Sequence, residues 1–442
     1  MISLIGIILA LGLLIYFAFK GKSLIWAAPI CVFVVAIFSK INPLSAYTSE
    51  YMKGFTDFIL SWLPVFMLST IFGMVMEVTN IAASISYAIC GKIGQKHAIL
   101  IVALSSYILT YGGVNCWVVI FTVFPIATAL FREADIPRRL MPATIAAGTF
   151  TSAMTTIVGT PQIHNLMPIK YFGTTPMAAP KIGIICAIIE FGGALLWLTY
   201  RSKKLKAKGE HYTEINPSKT NGDNNDNINI DNKLEKEKLP NPILSLVPFA
   251  ALLISLNLFK INIIISILIG IFLAIILNLK KCNQIINSLN DSSLNSIKAI
   301  VNTASVVGFG FVVKFTAGFA LLRTLVTSIN GDPLLVETIS INILAAASGS
   351  ASGGLQIALD SLGDVFLKNG VAAGYSPQVL HRIAAMSSGC LNTMPHDGAV
   401  VTFLAYCGVT HREGFYDIFW VNGVAPSFAL IIGLIMAMNG VV

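Results

Sequence analysis

Two runs of glycine and small polar residues interrupt apolar sequence: Tyr111-Gly112-Gly113-Val114-Asn115 and Ser348-Gly349-Ser350-Ala351-Ser352-Gly353-Gly354. Two further interruptions carry proline and ionisable groups: Gly159-Thr160-Pro161-Gln162-Ile163-His164-Asn165 and Asn392-Thr393-Met394-Pro395-His396-Asp397-Gly398. A helix broken inside a bilayer frees N–H groups where a helix starts and C=O groups where one ends. The starts favour an anion such as a carboxylate, and the ends favour a cation. Glycine lets the backbone approach a ligand closely. Ser348, Ser350, Ser352, Asn115, Thr160, Gln162, Asn165 and Asn392 offer neutral hydrogen bonds suited to ligand hydroxyls. The candidate substrate-binding residues are therefore Gly112, Gly113, Val114, Asn115, Thr160, Gln162, Asn165, Ser350, Ser352, Gly353, Gly354 and Asn392. The plain alternative is that the glycines and serines only let helices pack closely.

Ionisable side chains inside apolar sequence are functional candidates by default. His396, Asp397, His164 and Asp360 are the candidates for carrying a coupling proton, because histidine titrates near neutrality. A buried His–Asp hydrogen bond that merely holds the loop is the competing reading for His396 and Asp397. Lys314, Glu190 and Glu77 also lie in or beside apolar segments and are assigned no role. The cysteines at 31, 90, 116, 186, 282, 390 and 407 form no Cys-x-x-Cys pair and read as small apolar residues, with no metal site implied. Neither His-Glu-x-x-His nor Gly-x-Ser-x-Gly occurs, so an intramembrane enzyme is a remote alternative, and no cofactor is expected.

The elements that must position these residues follow from composition. The chain is 55% hydrophobic and only 11% charged, whereas soluble domains carry roughly 25% charged residues. Many runs approach the ~20 apolar residues that cross a bilayer. Ile2–Phe19 carries no charge and lacks a cleavage-site pattern, which predicts a retained first span. Further spans are expected at about 23–39, 56–77, 180–200, 241–258, 262–279, 299–320 and 419–441, with an interfacial amphipathic helix over 79–96 and a one-face-polar segment over 283–297. The formal charge of +8 suggests orientation in a membrane and not nucleic acid, because basic residues cluster at the ends of apolar runs. One assignment puts Lys20, Lys22, Lys92, Lys96, Arg138, Arg139 and the cluster from Arg201 to Lys208 all inside.

The features recur in the same order in two halves. Gly113 and Gly353 stand 240 positions apart, as do Pro137 and Pro377. An odd number of crossings separates the two glycine breaks, so the halves face opposite ways, the inverted repeat of many secondary transporters. Residues 98–110 as a helix rise only ~20 Å against ~30 Å of hydrocarbon, which favours a re-entrant hairpin over two spans. The expected architecture is an all-α integral membrane protein with about ten full spans plus two hairpins. A first half over 1–201 holds a hairpin at about 98–131 and a broken helix at about 140–177. A second half over 240–442 holds a hairpin at about 336–367 and a broken helix at about 378–410. Residues 202–239, rich in Asn, Lys, Asp and Glu, read as a disordered cytoplasmic linker.

The run Gly112-Gly113-Val114, then Phe131-Arg132-Glu133-Ala134, Ile136-Pro137-Arg138-Arg139-Leu140, Gly159-Thr160-Pro161-Gln162 and Lys170-Tyr171-Phe172-Gly173-Thr174, resembles the gluconate permease (GntP) family. So do Ser350-Ala351-Ser352-Gly353-Gly354, Leu380-His381-Arg382 and Met394-Pro395-His396-Asp397-Gly398-Ala399. The match covers nearly all of the chain outside 202–239 and looks closest to the 3-hydroxybutyrate permease branch; at Asp397 it departs from the asparagine common in that family. The resemblance implies a proton-coupled symporter of small organic anions, of the hydroxy-monocarboxylate kind, in the bacterial cytoplasmic membrane. It further implies the ion-transporter superfamily fold, a homodimer and an elevator-like alternating-access motion. A sodium-coupled organic-anion carrier on the same fold is the nearer alternative.

Overall fold

The computed structural model describes residues 2–20, 22–93, 97–213, 239–327, 331–348, 350–394 and 397–442, which form helices and no strands. The N-terminal half runs α1 (Ile2–Phe19), α2 (Leu24–Ser39), α3 (Pro43–Ser45), a π-helical turn (Ala46–Tyr51), α4 (Met52–Val78), α5 (Ile81–Ile93), α6 (Ala98–Tyr111), α7 (Cys116–Glu133), α8 (Met141–Thr149), α9 (Ser152–Thr155), α10 (Ile163–Phe172) and α11 (Pro180–Lys206). The C-terminal half runs α12 (Pro242–Asn257), α13 (Ile263–Ile276), α14 (Cys282–Lys314), α15 (Ala317–Thr327), α16 (Pro333–Ser348), α17 (Ala351–Ala372), α18 (Pro377–Ser388), α19 (Gly398–Tyr406), α20 (His411–Phe419), a π-helical turn (Trp420–Val424) and α21 (Ala425–Met438).

Local chemistry sets the helix limits. Asn241 and Asn262 cap α12 and α13 by accepting from Ile243 and Ile264 N–H, each at 2.9 Å. Ser376 caps α18, whose first residue is Pro377. Thr410 and Glu413 form a capping box on α20. α10 ends on Gly173 at φ 63°, a left-handed position that glycine takes without a Cβ penalty.

Among the described residues, three helical runs, Pro43–Val78, Pro180–Lys206 and His411–Met438, are long and apolar enough to cross a membrane. The pair Ile263–Ile276 and Leu279–Leu294, bent by 91°, makes a fourth if it is one broken span. Length and composition thus account for three or four of the about ten expected crossings. Shorter apolar helices of 10–17 residues, Ala98–Tyr111 and Pro242–Asn257 among them, rise about 15–26 Å.

Helix contacts recur between the halves. α1 packs on α2 and α15, while α12 packs on α13 and α5. α2 packs on α14, and α13 on α4. α6 packs on α7 and α8, and α16 on α17 and α18. α4 crosses α14, where a Cβ on Gly54 would lie 3.2 Å from Gly308 Cα, and α11 packs on α21.

Several expected boundaries shift. Within the segment expected at the interface, the first turns of α5 are not a surface helix: Ile81 through Ser86 are buried, and α5 packs on α4, α6, α7 and α12. Its serines pass as core residues because Ser86 bonds the Ala82 carbonyl and Ser84 the Pro240 carbonyl. Residues 283–297 are no separate segment but the start of the continuous α14, since neither Gly nor Pro interrupts it before Gly308. Of the expected linker, 202–206 complete α11 and 207–213 pack back on the loop after α7, while 214–238 lie outside the described residues. Lys206 Nζ donates to the Ala134 carbonyl at 2.7 Å, and Asp135 accepts from His211 at 2.7 Å and from Tyr212 N–H at 3.0 Å.

Candidate functional site

The first glycine break joins α6 and α7 as a hairpin tip. Gly112 N–H closes on the Ile108 carbonyl at 2.9 Å and Val114 N–H on the Leu109 carbonyl at 3.1 Å, so α6 is capped by its own backbone. Gly113 has φ 98°, a left-handed conformation that side chains resist. A Cβ on Gly112 would sit 1.9 Å from the Phe249 ring, and one on Gly113 would sit 3.2 Å from Pro161. The tip therefore touches the proline break directly.

One side chain fastens the two breaks together. Gln162 Nε2 donates to the Thr110 carbonyl at 2.7 Å and to the Val114 carbonyl at 3.3 Å. Tyr111 OH reaches the Val158 carbonyl at 3.3 Å. Within the break, Thr160 Oγ1 donates to the Ala153 carbonyl at 2.9 Å, and Asn165 Nδ2 to the carbonyls of Thr160 and Pro176 at 2.9 and 3.0 Å. The chain leaves helical geometry after Thr149 and regains it at Ile163, apart from the short α9. His164 and Asn165, expected within the break, thus lie in the first turn of α10. His164 is buried and its Nδ1 has no hydrogen-bond partner. The starts of α7 and α10 are held at one place, and helix starts carry partial positive charge.

The second hairpin tip is built differently. Ser350 Oγ accepts from Gly353 N–H at 3.1 Å and caps α17, with Ser352 Oγ 3.4 Å away. A Cβ on Gly354 would lie 2.3 Å from Ala345 Cα, so this glycine lets the two arms meet. In the second proline break, Asp397 Oδ1 accepts from Ala399 N–H at 2.7 Å and caps α19. Asn392 is buried, and its Oδ1 lies 3.5 Å from Thr393 Oγ1. Pro395, His396 and Gly349 lie outside the described residues. Asp360 stands apart from both breaks: its carboxylate accepts from Tyr171 OH and, at 2.9 Å, from Gln356 Nε2. Lys314 Nζ donates to the Asp360 carbonyl at 2.7 Å, and Trp62 Nε1 to Gln356 Oε1 at 3.3 Å.

Residues outside the predicted set tie the halves together. Arg382 on α18 is fully buried, and its guanidinium donates to the carbonyls of Thr156, Pro176 and Ala178 at 3.0–3.2 Å. His381 lies between Thr174 Oγ1 at 2.5 Å and Asn165 Oδ1 at 3.3 Å. Two buried carboxyls were also unassigned. Glu190 accepts from Thr156 Oγ1 at 2.6 Å, and neither carboxyl oxygen of Glu337 has a partner. The missed signal was a charged residue without an opposite charge at helical spacing, set in apolar sequence. A cleft of about 520 Å³ lies elsewhere, lined by Thr79, Asn241, Ser245, Asn278 and Lys281 among others, and by none of the predicted residues.

No protein-family model matches the chain. It is 34% identical to the uncharacterized transporter YxjC of Bacillus subtilis, with all of both chains covered. It is 26% identical to an uncharacterized transporter of Haemophilus influenzae over 78% of this chain and 76% of that one. Its fold is similar to that of the YdaH transporter of Alcanivorax borkumensis, with a TM-score of 0.57 and 13% identity over 90% and 88% of the two chains. With helices apolar and long enough to cross a bilayer and a full-length relative at this identity, the chain belongs to the transporter family that includes Bacillus subtilis YxjC.

Proposed function

We propose that this protein is a secondary active transporter carrying a small organic anion, of the hydroxy-monocarboxylate kind, with a proton across the bacterial cytoplasmic membrane. The observation that carries the reading is the Gln162 clasp. It joins a glycine hairpin tip to a proline break, so two helix starts and several backbone carbonyls meet within apolar sequence. Non-helical backbone at that depth is tolerated where it is enclosed by protein or lines a cavity. The N–H groups suit the carboxylate, and Asn115, Thr160, Gln162 and Asn165 suit the hydroxyl. Gly112, Gly113 and Val114 supply backbone there, with Ser350, Ser352, Gly353, Gly354 and Asn392 as the counterpart from the other half.

Support for an inverted repeat of 1–201 and 240–442 comes from the recurrence of helix contacts, α1 with α15 against α12 with α5, and α2 with α14 against α13 with α4. Alternating access in a homodimer completes the proposal. The test is uptake into proteoliposomes of labelled gluconate and 3-hydroxybutyrate, with competition by a panel of hydroxy acids. Saturable uptake that an acid-outside pH step drives and a protonophore abolishes is expected. Uptake indifferent to both proton and sodium gradients would refute it, and uptake that follows sodium alone would replace the proton.

A further inference from the structure

The groups left over after the site is assembled are buried and ionisable. Glu337 bonds to nothing among the described residues and touches neither break by a hydrogen bond. Glu190 is different. It lies on α11, about 15 Å along a helix of about 40 Å, and is 0% exposed. Its own face of the helix presents Gly183, Cys186, Ala187 and Ala194, all buried, and a Cβ on Gly183 would lie 3.0 Å from the Thr156 carbonyl and 3.3 Å from Arg382 Nε. Among the described residues, Oε2 has one hydrogen bond, from Thr156 Oγ1 at 2.6 Å, and Oε1 has none.

A carboxylate ion with a single hydrogen bond is far too costly in such a place, so the acid is neutral in this conformation. Oε1, without a hydrogen-bond partner among the described residues, is the oxygen left open to hold or release a proton. Thr156 links the acid to a buried cation. Thr156 gives its hydroxyl to Glu190 and its carbonyl to Arg382 Nη1 at 3.2 Å. Thr156 belongs to the same break that Tyr111 and Gln162 fasten to the hairpin tip through Val158 and the Thr110 and Val114 carbonyls. A ligand that displaces the tip therefore acts on the residue standing between the acid and the guanidinium.

We propose that Glu190 is the group that takes up and releases the coupling proton, an assignment that rests on the proton-coupled reading above. The O–H bond at Oε1 breaks when the break repacks, its proton passes to water, and the remaining carboxylate is balanced by Arg382. Protonation from water on the other side of the membrane restores the acid. The other titratable groups around it are Cys186 on the same helix, Tyr107 on α6 and Cys390 after α18. α8, α9, the turn 420–424 and α21 bring none, and Asp417 is held by Arg201 and Trp197 further along α11.

The test uses full-length protein in liposomes. Infrared difference spectra of wild type should contain a protonated-carboxyl band that disappears across about pH 5–9, is missing in E190Q and moves in frequency in T156V, where the bond to Oε2 is lost. E190Q should still exchange labelled gluconate or 3-hydroxybutyrate in counterflow yet lose accumulation driven by a pH step. A band that never titrates overturns the assignment, as does E190Q that accumulates like wild type. Wild-type uptake that ignores the pH step beside a titrating band overturns the coupling reading and this assignment with it. Should E190Q fail to fold, a T156V band identical to wild type overturns the assignment alone.

Discussion

Asn165 Oδ1 lies 3.3 Å from His381 Nε2, so the first turn of α10 is bonded to α18 across 216 residues of sequence. Asn165 also holds the Thr160 and Pro176 carbonyls, while the neighbouring Arg382 grips Pro176 from the other side. The first proline break is therefore not a loop closed on itself. Its shape is specified by two adjacent residues of the C-terminal half.

Replacing Arg382 should be among the most damaging substitutions. R382A takes the guanidinium from the buried Thr156 and Ala178 carbonyls and removes one of three donors to the Pro176 carbonyl, at a cost on the order of 3–5 kcal/mol. R382K should rescue only part, because an ammonium cannot reproduce a planar fork. Thermal unfolding of detergent-solubilised protein checks both, and R382K as stable as wild type would refute the staple.

Q162A should weaken the clasp between tip and break. Loss of the two bonds from Nε2 is expected to cost about 1–3 kcal/mol and to slow uptake more than any exposed alanine substitution. Initial rates over a range of ligand concentration measure it; unchanged rates would detach Gln162 from the site.

Two adjacent glycines should respond unequally. G354A drives a methyl into Ala345 backbone and should destabilise by about 1–3 kcal/mol. G353A meets only Ser350 and Val306 at 3.3 Å and beyond and should be much milder. Equal losses in a thermal-shift comparison would contradict the close approach of α16 and α17.

The segment after α11 should release in acid. The hydrogen bond from His211, then that from Tyr212 N–H, holds the Asp135 carboxyl below its usual value. A carboxyl with a depressed folded value stabilises above its unfolded value, and that contribution is lost as pH falls through the folded one. Proteolysis near 210–213 should therefore accelerate below the ordinary carboxylate range, and D135N should be cut readily at every pH. A wild-type cleavage rate flat with pH would refute the docking.

Gly112-Gly113 marks a turn between α6 and α7, whereas Ser352, Gly353 and Gly354 lie in the first turn of α17, after the cap at Ser350, where Gly354 serves close packing on Ala345. α6 with α7 covers 98–133 and α16 with α17 covers 333–372, where re-entrant hairpins are expected at about 98–131 and 336–367. The proline break was located but misplaced. Pro161 points to its C-terminal side, whereas the backbone opens after Thr149 and α10 already begins after Gln162. Asp397 looked like a proton carrier by type, and the fold gives it a helix cap. His381 and Arg382 enter the sequence reading only as part of the family resemblance, with no site role. Only the three-dimensional path brings Thr156 and Pro176 to Arg382, and no local pattern encodes a partner more than 200 residues away.

That separation has a consequence for biosynthesis. Thr156 leaves the ribosome 226 residues before Arg382, which at 5–20 residues per second is roughly 10–45 s. Throughout that interval the first break lacks the guanidinium that satisfies it. We predict that nascent chains arrested before Arg382 are cut between 156 and 178, and that chains arrested well beyond it are protected. The break that the transporter needs is thus the last part of its N-terminal half to mature, and a truncated N-terminal half should not acquire it by itself.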